Sequence, residues 1–138
     1  MIRPTAATLI PMIGKLRSTV LDCRDPRRLA DFYAGVLGGE ITVDGDDWVV
    51  LNDPSGRRLA FQLAPEHDPP RFPDPLGSQQ FHLDIEVDEI DDAERKVLAL
   101  GATRVPDAVE DGTFRVYRDI AGHTFCLVWD VDNPDSEG

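Results

Sequence analysis

Three side chains able to transfer protons or bind metals alternate along the segment Phe81–Val87, which reads FHLDIEV. Alternate residues of an extended strand share one face, so the pattern places His82, Asp84 and Glu86 together on a polar face. The histidine can contact a ligand, act as a catalytic acid or base, or donate to a metal. The carboxylates can bind a cation or raise the basicity of the imidazole. Simpler roles are a cross-strand hydrogen bond for the histidine and solvated positions for the acids.

Other candidate residues are dispersed along the chain. Arg115 can pair with an anionic ligand or with one of the acids on the polar face. Cys126 can be a soft metal donor or a reactive thiol, although an inert core position is typical of cysteine. Aromatic residues that can line a flat ligand, or pack in the sheet core instead, are Trp48, Phe61, Tyr117 and Trp129. The sequence contains no phosphate-binding glycine loop, dinucleotide fingerprint, nucleophile elbow or CxxC motif.

The polar face is positioned by a strand that leads directly into a helix. Asp88 is predicted to cap the helix start and Gly101 to end it, which gives a helix over Glu89–Leu100. This helix can cover the apolar side of the strand and leave the His82 side facing a cleft. Apolar residues recur at helical spacing at Ile90, Ala93, Val97 and Leu100.

The same design occurs earlier in the chain, between Leu16 and Gly39. Asp25 is a good N-cap, Pro26 suits the first helical position, and Gly38 is placed to close the helix. The helix is predicted over Pro26–Leu37. Its apolar stripe consists of Leu29, Phe32, Tyr33, Val36 and Leu37.

The segments after each helix also match. A turn containing Asp and Gly joins two strands at Asp53–Gly56 and again at Asp119–Gly122. The chain is therefore predicted to be α+β, with two βαβββ modules that form a half-open barrel around a chamber lined by the faces away from the helices. The predicted strands are Leu16–Cys23, Glu40–Val43, Trp48–Leu51, Arg58–Ala64, Phe81–Val87, a short one near Thr103, Phe114–Arg118 and Thr124–Trp129.

Composition predicts a single domain at residues 16–130. An N-terminal arm (1–15) precedes module 1 (16–64), a proline-rich extended linker (65–79) leads to module 2 (80–130), and a polar tail (131–138) follows. His67 in the linker and His123 in a hairpin turn are predicted to be surface residues.

Bulk properties exclude several classes of function. The net charge of -12 argues against nucleic-acid binding, although it is compatible with a cationic ligand. No apolar run approaches the roughly 20 residues needed to span a membrane, and no signal peptide is predicted. Two cysteines within predicted strands, Cys23 and Cys126, favour a reduced, cytoplasmic protein.

Three segments together resemble the vicinal-oxygen-chelate superfamily, also called the glyoxalase/bleomycin-resistance/dioxygenase group, and its glyoxalase-like domain branch. With the intervening strands they cover about Leu16 to Asp130. The resemblance implies the paired-module fold, but it does not specify one activity. The segments are LDCRDPRRLADFYAGVLGG, FHLDIEVDEIDDAERKVLALGA and DIAGHTFCLVWD.

The resemblance also implies where a metal would bind. Enzymes of the family hold a divalent ion with four His, Gln or Glu side chains from the first and last strands of each module. The matching positions here are Ser18, Ala60, His82 and Cys126, and Gln62 shares a strand face with Ala60. A full ligand set is therefore absent, as are the glutamate of glyoxalases and the two-His, one-Glu set of extradiol dioxygenases.

Three hypotheses follow. The first is a glyoxalase-like protein that binds, and in one version transforms, a small molecule without a required cofactor, with His82 as the catalytic residue. The second is a drug-sequestering resistance protein of the bleomycin type. The third is a lyase or dioxygenase that uses Ni, Zn, Mn or Fe in a remodelled site of His82, Gln62 and Cys126. A homodimer without nucleic-acid or membrane partners is expected, and the proposed ligand contacts are Ser18, Trp48, Gln62, Asp84, Glu86, Arg115 and Tyr117.

Overall fold

The computed structural model describes residues 8–130, so the predicted polar tail and the first seven residues of the predicted arm lie outside the described residues. Within 8–130 the predicted α+β class with two βαβββ modules is confirmed. The first module consists of β1 (Thr19–Cys23), α1 (Pro26–Leu37), β2 (Glu40–Asp44), β3 (Trp48–Asn52) and β4 (Arg58–Leu63). The second consists of β5 (Leu83–Glu86), α2 (Ile90–Ala99), β6 (Thr103–Arg104), β7 (Phe114–Arg118) and β8 (Thr124–Val128).

Each module forms its own four-stranded mixed sheet. The strand orders are β1-β4-β3-β2 and β5-β8-β7-β6, so the first strand of each module lies at an edge beside the last. β1 is parallel to β4 and β5 is parallel to β8, and the remaining pairs are antiparallel. The two sheets do not close into a barrel. This topology is the same in both halves, as the repeat in the sequence predicts.

Helix α1 begins and ends as predicted. The Asp25 side chain accepts a hydrogen bond of 3.1 Å from the backbone N–H of Arg28, and Pro26 occupies the first helical position. Gly38 ends the helix with φ 73°, a conformation that residues with a Cβ adopt only at a cost. The helix buries Leu29 and Phe32 against the sheet of the first module.

Helix α2 starts differently from the prediction. Glu89, and not Asp88, precedes the first helical residue, and its side chain makes no capping hydrogen bond. Asp91 and Asp92 in the first turn instead place negative charge at the positive end of the helix. Gly101 follows the helix with φ 112° and confirms the predicted C-terminal signal. Among residues 8–130, neither helix combines the length and apolarity that a membrane crossing requires.

Two predicted strands are shorter than their apolar alternation suggests. β1 begins at Thr19, where its pairing with Leu59 of β4 starts, and Leu16 lies before it and is exposed. β5 begins at Leu83, because Gln80 adopts φ 70° and the ring of Phe81 is 91% exposed. His82 therefore lies immediately before the strand and not within it.

One hydrophobic core is shared by both modules. Phe125 of β8 lies 5.9 Å from the Phe32 ring and 6.3 Å from the Tyr33 ring, so the helix of the first module packs against the sheet of the second. Burying a large apolar side chain of this kind contributes about 1.5–3 kcal/mol. Fully buried members of the core are Leu29, Tyr33, Val49, Leu51, Phe61, Tyr117, Phe125 and Leu127.

The repeated hairpin turns use their aspartates in related ways. Asp53 Oδ1 accepts hydrogen bonds from the backbone N–H groups of Ser55 and Arg57. Asp119 Oδ1 accepts them from Ala121 and His123 in the same manner. Asp119 is also buried, and its Oδ2 accepts a hydrogen bond of 2.5 Å from the Tyr33 hydroxyl, which joins the second module to α1.

The two histidines predicted to lie on the surface are part of the contact between the modules. His123 Nε2 lies 2.7 Å from the carbonyl oxygen of Asp22, at the end of β1. His67 Nε2 lies 3.1 Å from the carbonyl oxygen of Ala121, and the two imidazole rings are 4.8 Å apart. Both histidines are half-buried, because the hairpin and the linker fold back onto the first module.

Candidate functional site

The strongest cluster of reactive side chains lies on the β5–β8 pair. Asp84 and Cys126 are paired across the two strands, so their side chains share one sheet face. His82 Nε2 lies 3.0 Å from Asp84 Oδ1, and one ligand atom from each of the three side chains lies within 4.8 Å of the others. The side chains of His82 and Asp84 are 25% and 45% exposed, whereas Cys126 is 2% exposed. The cluster therefore has an accessible polar side and a buried thiol behind it.

The thiol of Cys126 is not a nucleophile at neutral pH. Burial, and to a smaller extent the negative charges of Asp84 and Glu110, raise the pKa of this thiol to about 12. The pKa of Cys23 is raised to about 11, chiefly by burial. Since the thiolate is the reactive and metal-binding form, Cys126 reacts only if a metal displaces its proton or if its cover opens.

Both cysteines are therefore predicted to resist thiol reagents in the folded, EDTA-treated protein at pH 8. 5,5′-Dithiobis(2-nitrobenzoate) should label less than a tenth of either thiol in the time that labels both in 6 M urea. Because both pKa values are raised above the ordinary 9.0, unfolding releases thiol protons above pH 9 and stability falls as the pH rises toward 12. Rapid labelling of the folded protein would contradict this prediction.

The corresponding face of the first module carries a different set of side chains. Trp48 pairs with Gln62 across β3 and β4, so the two lie side by side. Just before β1, the Ser18 hydroxyl accepts a hydrogen bond from the Arg58 guanidinium. Sequence reasoning missed Arg58, whose only signal was its place two residues before Ala60 on the same strand face.

Gln62 lies in the sheet of the first module, whereas His82 immediately precedes β5 of the second, and no backbone pairing joins β1 to β5 in the described residues. The predicted metal set of His82, Gln62 and Cys126 is therefore divided between the two modules. Asp84 takes the third place beside His82 and Cys126. Glu86 is exposed at the far end of β5 and lies outside this cluster.

The linker crosses the face that carries Cys126. Phe72 packs against a small cluster formed by Val105, Val116, Cys126 and Val128. Arg118 holds the linker there, because its guanidinium donates to the carbonyl oxygens of Pro70 at 3.0 Å and Phe72 at 2.9 Å. Sequence reasoning treated the linker only as a connection, and Phe72, its one aromatic residue, was the available signal.

Arg115 and Tyr117, predicted as ligand contacts, do not lie on the His82 face. Tyr117 is fully buried opposite Phe125, and its hydroxyl donates to Glu94 of α2 at 2.9 Å. Arg115 pairs with Glu94 and with Asp91, each at 3.2 Å. Successive residues of β7 alternate in direction, so Val116 faces Cys126 while its two neighbours face the helix. Both residues therefore stabilise the packing of α2.

The similarity to known proteins extends over both modules. The model of the family described as "Glyoxalase-like domain" matches residues 18–128, which contain both modules. The chain belongs to the glyoxalase-like domain family. It is thereby a member of the vicinal-oxygen-chelate superfamily, as the sequence motifs predict. No curated protein matches the chain.

Solved structures agree with this glyoxalase-like fold. A glyoxalase/bleomycin resistance protein/dioxygenase family enzyme from Burkholderia phytofirmans is 19% identical, with a TM-score of 0.64 over 84% of this chain and 98% of its own. A possible glyoxalase from Bacillus cereus is 16% identical, with a TM-score of 0.63 over 85% and 99%. The fosfomycin resistance protein FosX from Listeria monocytogenes is 15% identical, with a TM-score of 0.65 over 86% and 94%. At these identities the likeness concerns the fold alone.

The resemblance predicts metal ligands at four positions, two of which are Ser18 and Ala60. The position at Ala60 carries no donor atom, and the Ser18 hydroxyl is bonded to Arg58. His82, Asp84 and Cys126 nevertheless supply nitrogen, oxygen and sulfur within one small region. A donor set of nitrogen, oxygen and sulfur fits a zinc-type ion better than Mg²⁺ or Ca²⁺, which prefer oxygen ligands.

Proposed function

We propose that this glyoxalase-like protein binds a small molecule on the sheet face that carries His82. The observation that carries the proposal is the 3.0 Å contact between His82 Nε2 and Asp84 Oδ1 on a partly exposed face of the second module. A carboxylate in this position fixes the orientation of the imidazole ring through the contact between His82 and Asp84. His82 is then placed to bind an acidic or hydroxyl group of the ligand, and to move a proton if the ligand is transformed.

The first module is proposed to contribute the rest of the ligand contacts. Trp48 offers an aromatic surface, Gln62 an amide, and the Ser18–Arg58 pair a hydroxyl and a cation.

The edge strand β1 exposes 44% of Val20 on the same sheet face. We propose that a second copy of the chain covers this edge and forms a homodimer. Two buried, free cysteines are consistent with a reducing compartment such as the cytoplasm.

The test is a thermal-shift panel of vicinal-oxygen compounds, fosfomycin included, followed by calorimetry of each compound that stabilises the protein. His82→Ala is expected to weaken binding at least tenfold, and Asp84→Asn by a smaller factor because asparagine keeps an acceptor oxygen and removes only the negative charge. Asp46→Asn is the control, since Asp46 is exposed in the β2–β3 turn. Binding that His82→Ala leaves unchanged would refute this site.

Metal-dependent chemistry is the second candidate, and the convergence of His82, Asp84 and Cys126 favours it. These residues would hold the ion, which would polarise a ligand oxygen or activate a water. Elemental analysis of protein purified without chelator should then give about one Zn, Ni, Mn or Fe per chain. Cys126→Ala and His82→Ala should lose the metal, while Cys23→Ala, the matched change at the other buried thiol, should keep it. Metal-free wild-type protein that gains no thermal stability from added metal would exclude this candidate.

A further inference from the structure

A groove on the opposite side of β5 has the properties of a separate binding site. It encloses about 520 Å³ between the last turn of α1, the end of β5 and the first turns of α2. This volume lies within the range of about 300–1,000 Å³ typical of small-molecule sites. The floor is apolar and is formed by Val36, Leu37, Ile85, Val97, Leu100 and Leu127.

The rim of the groove is negatively charged. Glu86, Asp88 and Glu89 line it, and none of the three forms an ion pair with another residue in the part of the chain that the structure describes. Asp92 also lines it, but its carboxylate is paired with Arg95 at 2.5 Å and with Lys96 at 2.9 Å. Lys96 is thus the one cation among the lining residues, and an acid already neutralises it.

The helix ends at the groove do not reverse this charge. α1 ends there without a basic residue in its last turn, so the negative end of its dipole is uncompensated. The positive end of α2 also lies at the groove, but Asp91 and Asp92 in the first turn offset it. The combination of an apolar floor and a negative rim complements a molecule with an apolar body and a positive charge.

The groove is separate from the His82 site. Ile85 and Leu127 pair across β5 and β8 and face the shared core, whereas Asp84 and Cys126 pair one residue earlier and face the other way.

A second copy of this chain is a poor occupant of the groove, because it would bring a further net charge of -12 toward the acidic rim. We propose that the groove binds a small organic cation with an aromatic or branched aliphatic body.

The probe is 2-(2-naphthyl)ethylammonium, with 2-naphthylacetate as the anion of matched shape. Calorimetry at pH 7 should detect binding of the cation alone, and its affinity should fall as NaCl rises from 50 to 500 mM because the rim is solvent-exposed. Neutralising the rim with Glu86→Gln, Asp88→Asn and Glu89→Gln together should raise Kd about tenfold, because each exposed pair is weak alone. Glu40→Gln, Asp46→Asn and Asp47→Asn together remove the same charge elsewhere and should leave Kd unchanged.

Amide chemical shifts of the wild-type protein locate the probe independently of any variant. Perturbations at residues 35–37 and 85–100, retained in His82→Ala, would support the proposal. Equal binding of the naphthylacetate, equal weakening by the control triple variant, or perturbations confined to His82 and Cys126 would overturn it. Sedimentation provides a further check. If two copies of the chain form a dimer through the groove and the probe only dissociates that dimer, the proposal is also overturned.

Discussion

Asp119→Ala is expected to lower the free energy of unfolding by about 3–5 kcal/mol, a large share of the stability of a domain this size. The buried carboxylate accepts hydrogen bonds from the Tyr33 hydroxyl and from the N–H groups of Ala121 and His123. Alanine would leave all three donors without this partner, and each unsatisfied buried donor costs about 1–3 kcal/mol. Urea denaturation at pH 7, followed by circular dichroism, measures the change.

The repeat supplies a matched control. Asp53 has the same role in the equivalent turn of the first module, where the donors of Ser55 and Arg57 are exposed and can bind water instead. Asp53→Ala should therefore cost only a small fraction of the Asp119 effect. Tyr33→Phe removes one bond to this buried carboxylate and should cost about 1.5–3 kcal/mol. Equal effects of the two aspartate variants would show that Asp119 stabilises only its own turn.

Arg118→Met should increase the rate at which thiol reagents label Cys126 by at least tenfold. The guanidinium donates to the carbonyl oxygens of Pro70, Phe72 and Gly122, and methionine keeps its bulk without any donor. Losing two charge-assisted bonds to the linker should let Phe72 leave the face of Cys126 more often. The measurement is the labelling rate at pH 8 in a Cys23→Ala background, in which Cys126 is the remaining thiol.

Two further variants separate local opening from general loss of stability. Arg57→Met changes an exposed arginine in the other hairpin and should leave the labelling rate unchanged. Phe72→Ala removes the covering ring itself and should increase the rate as Arg118→Met does. An Arg118→Met rate equal to that of wild type would mean that the linker stays in place without the arginine.

The regular elements were predictable because their signals are local. Asp25, Pro26 and Gly38 specify the ends of α1 within a few residues of sequence, and the structure follows them. The same signals predicted Asp88 as the N-cap of α2, but Glu89 occupies that position. Two acidic residues in the first turn supply the stabilisation that a side-chain cap would give. Alternation likewise overextended β5, because it cannot detect the positive φ of Gln80.

Of the site, the alternation of side chains along a strand could predict only which residues share one sheet face. Alternation placed His82 with Asp84, and the family resemblance assigned Cys126 to the same site. The alternation of side chains along β7 also puts Arg115 and Tyr117 on the opposite face from Val116 and Cys126, which the prediction did not take into account. These two residues belong to the contacts with Glu94 on α2. The cover formed by Phe72 and Arg118 depends on contacts between residues 46 positions apart, which no local pattern encodes.

The bond between Tyr33 and Asp119 bears on how such domains can recombine. One partner is inherited with the first half of the gene and the other with the second half. A chimera that exchanges one half between homologues would retain the hydrogen bond only where the incoming half carries the matching partner. Chimeras with a crossover in the linker should therefore fold most often when both source proteins have this tyrosine and this aspartate.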